Sequence, residues 1–463
     1  MHYVSTRGQA PDLSFEDVVL AGLASDGGLY LPSEIPQLST QQIAELQGLD
    51  YADLAYEIMH PFMGDIMDEP ALRQLLRDTY DGFHHRAVAP LSLVANQHWM
   101  LELYHGPTLA FKDFALQFLG RLVDHILQKR DEKVVVLGAT SGDTGSAAIA
   151  GCRGRDNMQI FILHPHERVS DVQRRQMTTV GDDNVHNIAL EGAFDDCQDI
   201  VKSLFADAEF RKQHHLVAVN SINWARILAQ VVYYFYAALQ LGAPSRRIAF
   251  CVPTGNFGDI YAGYIARQMG LPIERLIIAT NRNDILHRCV STGTYGMEGV
   301  HPSLSPSMDI QISSNFERLL FDLHDRDADT IRNMMDTFRK DKSITLSAQA
   351  HLRLQSIFSS AAVDDEDTLR VIGEVHRENG VLLDPHTAVG IRAAQRCELD
   401  KDVAVVTLST AHPAKFPHAV KDATGQNPEL PEFMADLWDK QEQFDVLPNS
   451  RDAICDYIGK HGI

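Results

Sequence analysis

The sequence predicts an α/β protein: helix-covered, mainly parallel sheet over most of the chain, preceded by a mostly helical N-terminal domain. Three observations predict this. From about Pro90 onward, short β-rich runs alternate with amphipathic helical segments, the pattern of a parallel sheet covered by helices. Residues 1–90 show no such alternation and read as helical. The 463 residues, 45% hydrophobic and 22% charged, exceed what one core usually organises and leave apolar material for two or three.

Within the N-terminal part, a helix-period segment near Phe15–Leu23 runs into the turn Asp26-Gly27-Gly28. Further helical segments follow around Gln41–Leu49, Leu54–Met59 and Ala71–Thr79. The predicted strands beyond it are Trp99–Leu103, Lys133–Leu137, Gln159–Leu163, Val185–Leu190, Leu216–Val219, Arg247–Val252, Arg275–Thr280 and Val403–Leu408. Between them, Phe114–Leu127 repeats apolar residues at helical spacing (Phe114, Phe118, Leu122, Ile126). Trp224–Leu241 is aromatic or aliphatic nearly all round and is therefore expected to be deeply buried. Acidic loops at 322–329 and 364–367 precede further helices.

Composition excludes several classes. With 41 Lys+Arg against 62 Asp+Glu the net charge is −21, a field that repels nucleic-acid backbones, so no nucleic acid is expected as a partner. Any anionic ligand must be held by a local pocket. Six scattered cysteines without a Cys-x-x-Cys pair read as reduced thiols. The opening MHYVSTR lacks the basic-then-apolar layout of a signal peptide, and the apolar run Val231–Leu239 is under half the roughly 20 residues that span a bilayer. A cytoplasmic enzyme without membrane contact is expected. No metal is expected either: Asp325-x-Asp327-x-Asp329 places Thr330 where a calcium loop needs glycine, and His84-His85 and His214-His215 lack ligand spacing.

Four strand-to-helix turns carry the candidate chemistry, because such turns line the ligand crevice of open α/β sheets. In HGPTLAFKDFALQFLG (105–120), Lys112 sits among Phe111 and Phe114 at a helix start. Apolar flanks and the helix dipole both disfavour an ammonium, and a neutral amine is what imine chemistry requires. GATSGDTGSAAIAG (138–151) offers small hydroxyls and backbone N–H groups to an anion, yet matches neither a Walker loop nor the dinucleotide fingerprint. CVPTGNFGDIYAGYIA (251–266) places Gly255-Asn256-Phe257-Gly258 before a helix, a setting that suits a phosphate. TLSTAHPAKF (407–416) ends a strand with Ser409 and Thr410. A fifth segment, NSINWARI (220–227), places Arg226 one turn into an otherwise apolar helix. It must pair there with an internal carboxylate or with a phosphate.

Taken together, HGPTxxFKDF, TSGDTG and GNFG resemble the threonine synthases, pyridoxal-phosphate enzymes of the tryptophan synthase β-like group. YVSTRG (3–8), GLASDGGLYLP (22–32), NSINWARI, LLDPHTAVG (382–390) and TAHPAKF (410–416) extend the likeness over nearly the whole chain and fit the family's longer branch. The resemblance implies two helix-covered, mainly parallel-sheet domains behind an N-terminal one: 1–90, then 91–145 with 240–463 as the large cofactor domain, and 146–239 as the small one. It further implies pyridoxal 5'-phosphate carried by Lys112, its phosphate cradled by Gly255, Asn256, Phe257 and Gly258, and its ring nitrogen met by Thr410. Thr140, Ser141, Thr144, Asn220, Ser221 and Arg226 resemble positions that bind the substrate, O-phospho-L-homoserine, which with water becomes L-threonine and phosphate. The long branch implies a monomer or weak homodimer. Shorter relatives often carry asparagine where this chain has Asp143, there against the cofactor's phenolic oxygen, so a carboxylate here must be protonated or turned away. Lys415 is a further candidate for attracting the substrate's phosphate.

The rival within the same fold is a related lyase of the serine/threonine dehydratase or cysteine synthase type, whose substrates carry no phosphate. A catalytically idle homologue would retain the fold without the chemistry, and a dinucleotide oxidoreductase would need a fingerprint this chain lacks.

Overall fold

A computed structural model of the protein describes residues 1–218 and 221–462. Two sheets organise it, and every expected strand has a counterpart in one of them. The six-stranded sheet runs, in spatial order, Phe358–Ala362, Ile273–Thr280, Ile248–Pro253, Ala404–Ser409, His98–Glu102 and Leu91–Ala95. All neighbours are parallel except the last pair. The five-stranded sheet is parallel throughout: Asp445–Pro448, Val185–Glu191, Met158–Pro165, Val134–Ala139 and Leu216–Ala218. Central strands such as Ile248–Pro253 are buried on both faces, which is why their sequences are continuous apolar runs.

The chain trades segments between the sheets differently from the expected division. Val134–Ala139, placed by expectation in the first part of the large domain, is a central strand of the five-stranded sheet. Residues 445–461, placed in its second part, return to that same sheet. Asp445–Pro448 pairs with the Val185–Glu191 strand, and the helix Arg451–His461 buries Ile454 and Ile458 against Val135, Leu137 and Phe161. The physical reason is coverage: without this return a strand edge and an apolar sheet face would both meet water.

Sequence reading found neither the outer strands Leu91–Ala95 and Phe358–Ala362 nor the short pairings Tyr3–Ser5 with Tyr30–Pro32 and Thr294–Gly296 with Ser343–Thr345. Edges are half-exposed and short, so their hydrophobic pattern is weak. Helix starts follow their caps. Ser14, Asp50 and Asp68 accept the N3 backbone N–H ahead of Phe15–Ala21, Tyr51–Met63 and Glu69–Tyr80.

The helix Trp224–Gln240 is buried along almost its whole length, as its composition predicts. Lys112–Arg130 lies beside it, with the Phe114 ring edge-on to Tyr233 at 5.5 Å. The N-terminal helices close over this pair. Tyr51 meets both Phe114 and Tyr236, and Tyr3 packs on Trp224 while its hydroxyl donates to the Phe62 carbonyl at 2.7 Å. Lys112–Arg130 also crosses Asp143–Cys152 backbone to backbone. A Cβ at Gly120 would fall on the carbonyl oxygen of Gly151, and one at Gly151 on that of Leu116. Neither backbone can retreat from a packed core. Gly120→Ala is therefore expected to destabilise the protein by about 2–3 kcal/mol, read as a lowered urea midpoint at unchanged m-value; a shift under a quarter of that would show the crossing is looser than drawn.

Candidate active site

Lys112 opens its helix at the mouth of the six-stranded sheet. The segment before it is fastened to the segment after Ala404–Ser409: Phe111 N donates to Thr410 O at 2.9 Å, His412 N donates to Leu109 O at 3.0 Å, and Ala110 bridges Ala411. Thr410 is thereby held, buried, beside the start of the Lys112 helix. The turn before Lys112 is closed by the fully buried Asp113, which accepts from Thr108 N at 2.8 Å and Thr108 Oγ1 at 2.7 Å. Burial pushes the Asp113 carboxyl up to about 6. A Cβ at Gly106 would strike the Asp113 side chain, so the loop requires glycine there.

The Lys112 amine has a lowered proton affinity, first because it is buried and then because Lys415 and Arg226 lie near; only Asp143 opposes this. The expected direction stands, with burial and neighbouring cations as its causes. Its Nζ lies 3.4 Å from Asp143 Oδ2 and 5.0 Å from the Phe111 ring centre.

The neighbours of Asp143 favour its carboxylate form, and its Oδ2 faces Lys112. Burial alone would raise its pKa. Lys415 and Lys112 outweigh that and hold the carboxylate well below its usual range. Oδ1 takes Lys415 Nζ at 2.8 Å and Gln173 Nε2 at 2.7 Å. Lys415, fully buried, also donates to Thr108 O at 2.6 Å. It is thus engaged with Asp143 and Thr108 and is no free cation awaiting a phosphate.

In the loop 138–145, Thr140 is buried and its Oγ1 accepts from Gly142 N at 3.0 Å and Gly145 N at 2.9 Å, so it orders the turn while its O–H remains a donor. Ser141 is exposed and Thr144 half-buried on the same loop. In the loop 255–258 the carbonyls are tied from behind: Ser313 Oγ donates to Gly255 O at 2.8 Å, and Asn315 N and Nδ2 donate to Asn256 O at 3.1 and 3.0 Å. Phe257, at φ 64°, drops its ring into the core against Phe316. Backbone N–H groups at the start of the helix Gly258–Gln268 lack intrahelical acceptors, as at any helix start. A Cβ at Gly255 would lie 2.7 Å from Ser307 O, leaving room for backbone alone.

Arg226 is 4% exposed, and its Nε and Nη1 have no hydrogen-bond partner. Burial lowers its pKa to about 10. Among the described residues no carboxylate pairs with it, so the internal salt bridge left open by the sequence is not made. Ser221 lies half-buried just before, its carbonyl held by Asn315 Nδ2 at 3.0 Å. Asn223 caps the helix, accepting from Ala225 N at 3.0 Å. Asn220 lies outside the described residues.

Asn315, Ser313 and Gln173 escaped sequence reading because none belongs to a motif; they reach the site only through folding. Asp259 stood inside the quoted 251–266 segment without being singled out. It accepts from the Tyr233 hydroxyl at 2.5 Å and the Tyr234 hydroxyl at 2.9 Å, and burial pushes its carboxyl up to about 6.

Arg226, with its unpartnered guanidinium nitrogens, lies near the Lys112 amine of lowered proton affinity, and the helix start at Gly258 lies against Ser221 and Ile227 on either side of that arginine's helix start. Residues 92–348 match the family model described as pyridoxal-phosphate dependent enzyme, which defines the class. The models described as threonine synthase N terminus and threonine synthase, C-terminal match residues 2–80 and 387–458. Threonine synthase of Pseudomonas aeruginosa is 58% identical over 100% of this chain and 99% of its own. The crystal structure of pyridoxal-phosphate-bound threonine synthase from Brucella melitensis superposes with a TM-score of 0.98 at 51% identity, covering 100% of this chain and 99% of that one. That of threonine synthase from Escherichia coli gives 0.84 at 34% identity, covering both chains fully. The chain belongs to the threonine synthase family. It is an enzyme whose cofactor is pyridoxal phosphate, and none of its described helices is long and apolar enough to cross a membrane.

Proposed function

We propose that the protein converts O-phospho-L-homoserine and water to L-threonine and phosphate. The observation that carries this reading is Arg226: a buried guanidinium with two unpartnered nitrogens, close enough to Lys112 to depress its proton affinity. Leaving a buried charge unpaired costs more than leaving a neutral polar group so. A phosphate that arrives with the substrate and departs as product accounts for that cost. The substrates of a serine/threonine dehydratase or cysteine synthase bring no such group.

The residues fit the cofactor. Lys112 would hold it covalently, the N–H groups of Gly255, Asn256, Phe257 and Gly258 would take its phosphate, and Thr410 would meet its ring nitrogen. Bound pyridoxal phosphate supplies an electron sink for charge developing at the substrate's α and β carbons. The chain's own groups do the rest. Lys112, once free, is an amine whose burial keeps it ready to take a proton at one carbon and return it at the next. Arg226, with Ser221 and Asn220 before its helix, binds the phosphate and stabilises it as it leaves. Thr140, Ser141 and Thr144, on the loop 138–145, bind the substrate's carboxylate and phosphate ends. Thr410 would present a neutral hydroxyl to the ring nitrogen, which would leave that nitrogen without a compelled proton and moderate the sink.

We read the chain as a helical N-terminal domain, a larger unit on the six-stranded sheet and a smaller one on the five-stranded sheet. A cytoplasmic monomer or weak homodimer accords with a net charge of −21, which opposes tight self-association. The test is a phosphate-release assay with O-phospho-L-homoserine, run beside borohydride trapping of the cofactor on Lys112. Threonine and phosphate in equal amounts support the reading. Ammonia released from serine or threonine, without phosphate turnover, overturns it in favour of a dehydratase.

A further inference from the structure

Lys415 was expected to face a ligand and instead faces a carboxylate. Its Nζ is fully buried and bonded to Asp143 Oδ1 at 2.8 Å and Thr108 O at 2.6 Å. The other Asp143 oxygen, Oδ2, stands 3.4 Å from Lys112 Nζ. One carboxylate therefore lies between two lysines and binds them unequally. Gln173 Nε2, at 2.7 Å from Oδ1, and Thr108 O, which also accepts from Gln176 Nε2 at 3.1 Å, fix the outer end of this row.

We propose that Asp143 and Lys415 are a positioning couple for Lys112, in which Lys415 engages one oxygen of Asp143 so that the other aims the Lys112 nitrogen without retaining it as an ammonium. The proposal rests on the reading of Lys112 as the cofactor-bearing amine. A lysine on a four-carbon stem needs an acceptor to hold its direction. A buried, isolated carboxylate would supply direction but would also lock the amine in its charged, non-nucleophilic form, since an opposite charge a few Å away favours ionisation. Sharing the carboxylate removes that conflict. Lys415 and Asp143 form a pair of no net charge, and Lys112 meets mostly its dipole. An asparagine could aim the amine with no cation behind it; an aspartate at this position requires one, and Lys415 is that cation.

The groups facing Lys112 are few. Besides Asp143 on the helix Asp143–Cys152 and Lys415 on the turn Pro413–Lys415, they are Arg226 on Trp224–Gln240 and Asp259 on Gly258–Gln268, the last already taken by two tyrosine hydroxyls. The couple therefore makes a signed prediction. Lys415→Met leaves Asp143 to Lys112 alone, so the pH midpoint of the Lys112 amine should rise by about one unit or more. Asp143→Asn leaves Lys112 facing Lys415 and Arg226 without that counter-charge, so the midpoint should fall by about as much. The double variant should return to within about half a unit of the parent.

Two readouts apply to the full-length chain. One is the pH titration of the visible absorbance of the cofactor-bound protein, in which the Lys112 nitrogen titrates as an imine and the same signs of shift are expected. The other is competitive acetylation of Lys112 in protein stripped of cofactor, quantified by peptide mass spectrometry. Thermal melting checks folding of each variant, and Lys415→Gln replaces Lys415→Met if the latter does not fold. Opposite shifts with restoration in the double variant support the couple. Shifts of the same sign, or none in either variant, overturn it, because a merely structural pair would move Lys112 in one direction or not at all. A parent protein that binds cofactor yet releases no phosphate would sink the proposed reaction but not this couple, which both readouts judge without turnover.

Discussion

Lys112→Ala is expected to lower phosphate release from O-phospho-L-homoserine by about 10³-fold or more, the range spanned by a positioned proton carrier, while the protein stays folded. On the proposed reading, two functions leave with one nitrogen: the covalent hold on the cofactor and the base that moves protons between adjacent carbons. No other amine can substitute. Lys415 is fixed by Asp143 and Thr108, and Arg226 remains a cation at physiological pH even with its pKa lowered to about 10. The fold should tolerate the change, because the lysine is only half-buried and makes no close bond that others depend on; its nearest partner, Asp143, retains Lys415 and Gln173. The measurements are a coupled phosphate assay, the visible spectrum with added cofactor, and a melting curve. Activity within tenfold of the parent, or a persisting visible band resistant to dialysis and quenched by borohydride, would end the assignment of Lys112.

Arg226→Met should have opposite effects on activity and stability. In the absence of substrate the guanidinium is a buried, under-partnered charge, so replacing it with an apolar side chain of similar length should stabilise the protein by about 1–3 kcal/mol. With the phosphorylated substrate the same change removes a charge-assisted contact, costing about 2–5 kcal/mol, or roughly 30-fold to over 10³-fold in kcat/KM. A residue retained only for structure would lose stability on replacement, whereas one retained for a dianion should gain it. Urea denaturation with and without inorganic phosphate separates the cases: phosphate should stabilise the parent and not the variant. A variant both less stable and fully active would place the substrate's phosphate elsewhere.

The candidate site divides sharply by what was legible. Lys112 could be found because its environment is local: Phe111, Phe114 and the glycine-proline turn before it all lie within one short segment. The loop 255–258 was legible for the same reason, since two glycines after an apolar strand encode both the turn and the approach of backbone to a ligand. Arg226 stood out as a cation in an apolar helix, although only the fold could reveal that no carboxylate answers it. Asp143 was visible as a departure from asparagine, yet its partner could not be read. Lys415, far along the chain, looked like a cation for the substrate until the turn Pro413–Lys415 brought it against Asp143. Ser313 and Asn315, which pin the 255–258 carbonyls, carry no signal, for nothing in their own neighbourhood marks what they will touch.

The domain boundaries show the same limit. Composition and periodicity located every central strand because such strands announce themselves by what they bury. Which sheet a strand joins is not a property of the strand. Val134–Ala139 and the chain's last strand and helix went to the five-stranded sheet because its edge and its face needed cover, a requirement that exists only after the other strands have paired. From the amino-acid order alone came the α/β class, the helical beginning and two candidates, Lys112 as the reactive amine and the loop 255–258 as the phosphate cradle, each marked by residues within its own short segment. Tertiary structure alone decided the sheet membership of distant segments, the isolation of Arg226 and the sharing of one carboxylate by two lysines. These depend on distances between residues remote in sequence, which are set by how apolar faces close on each other.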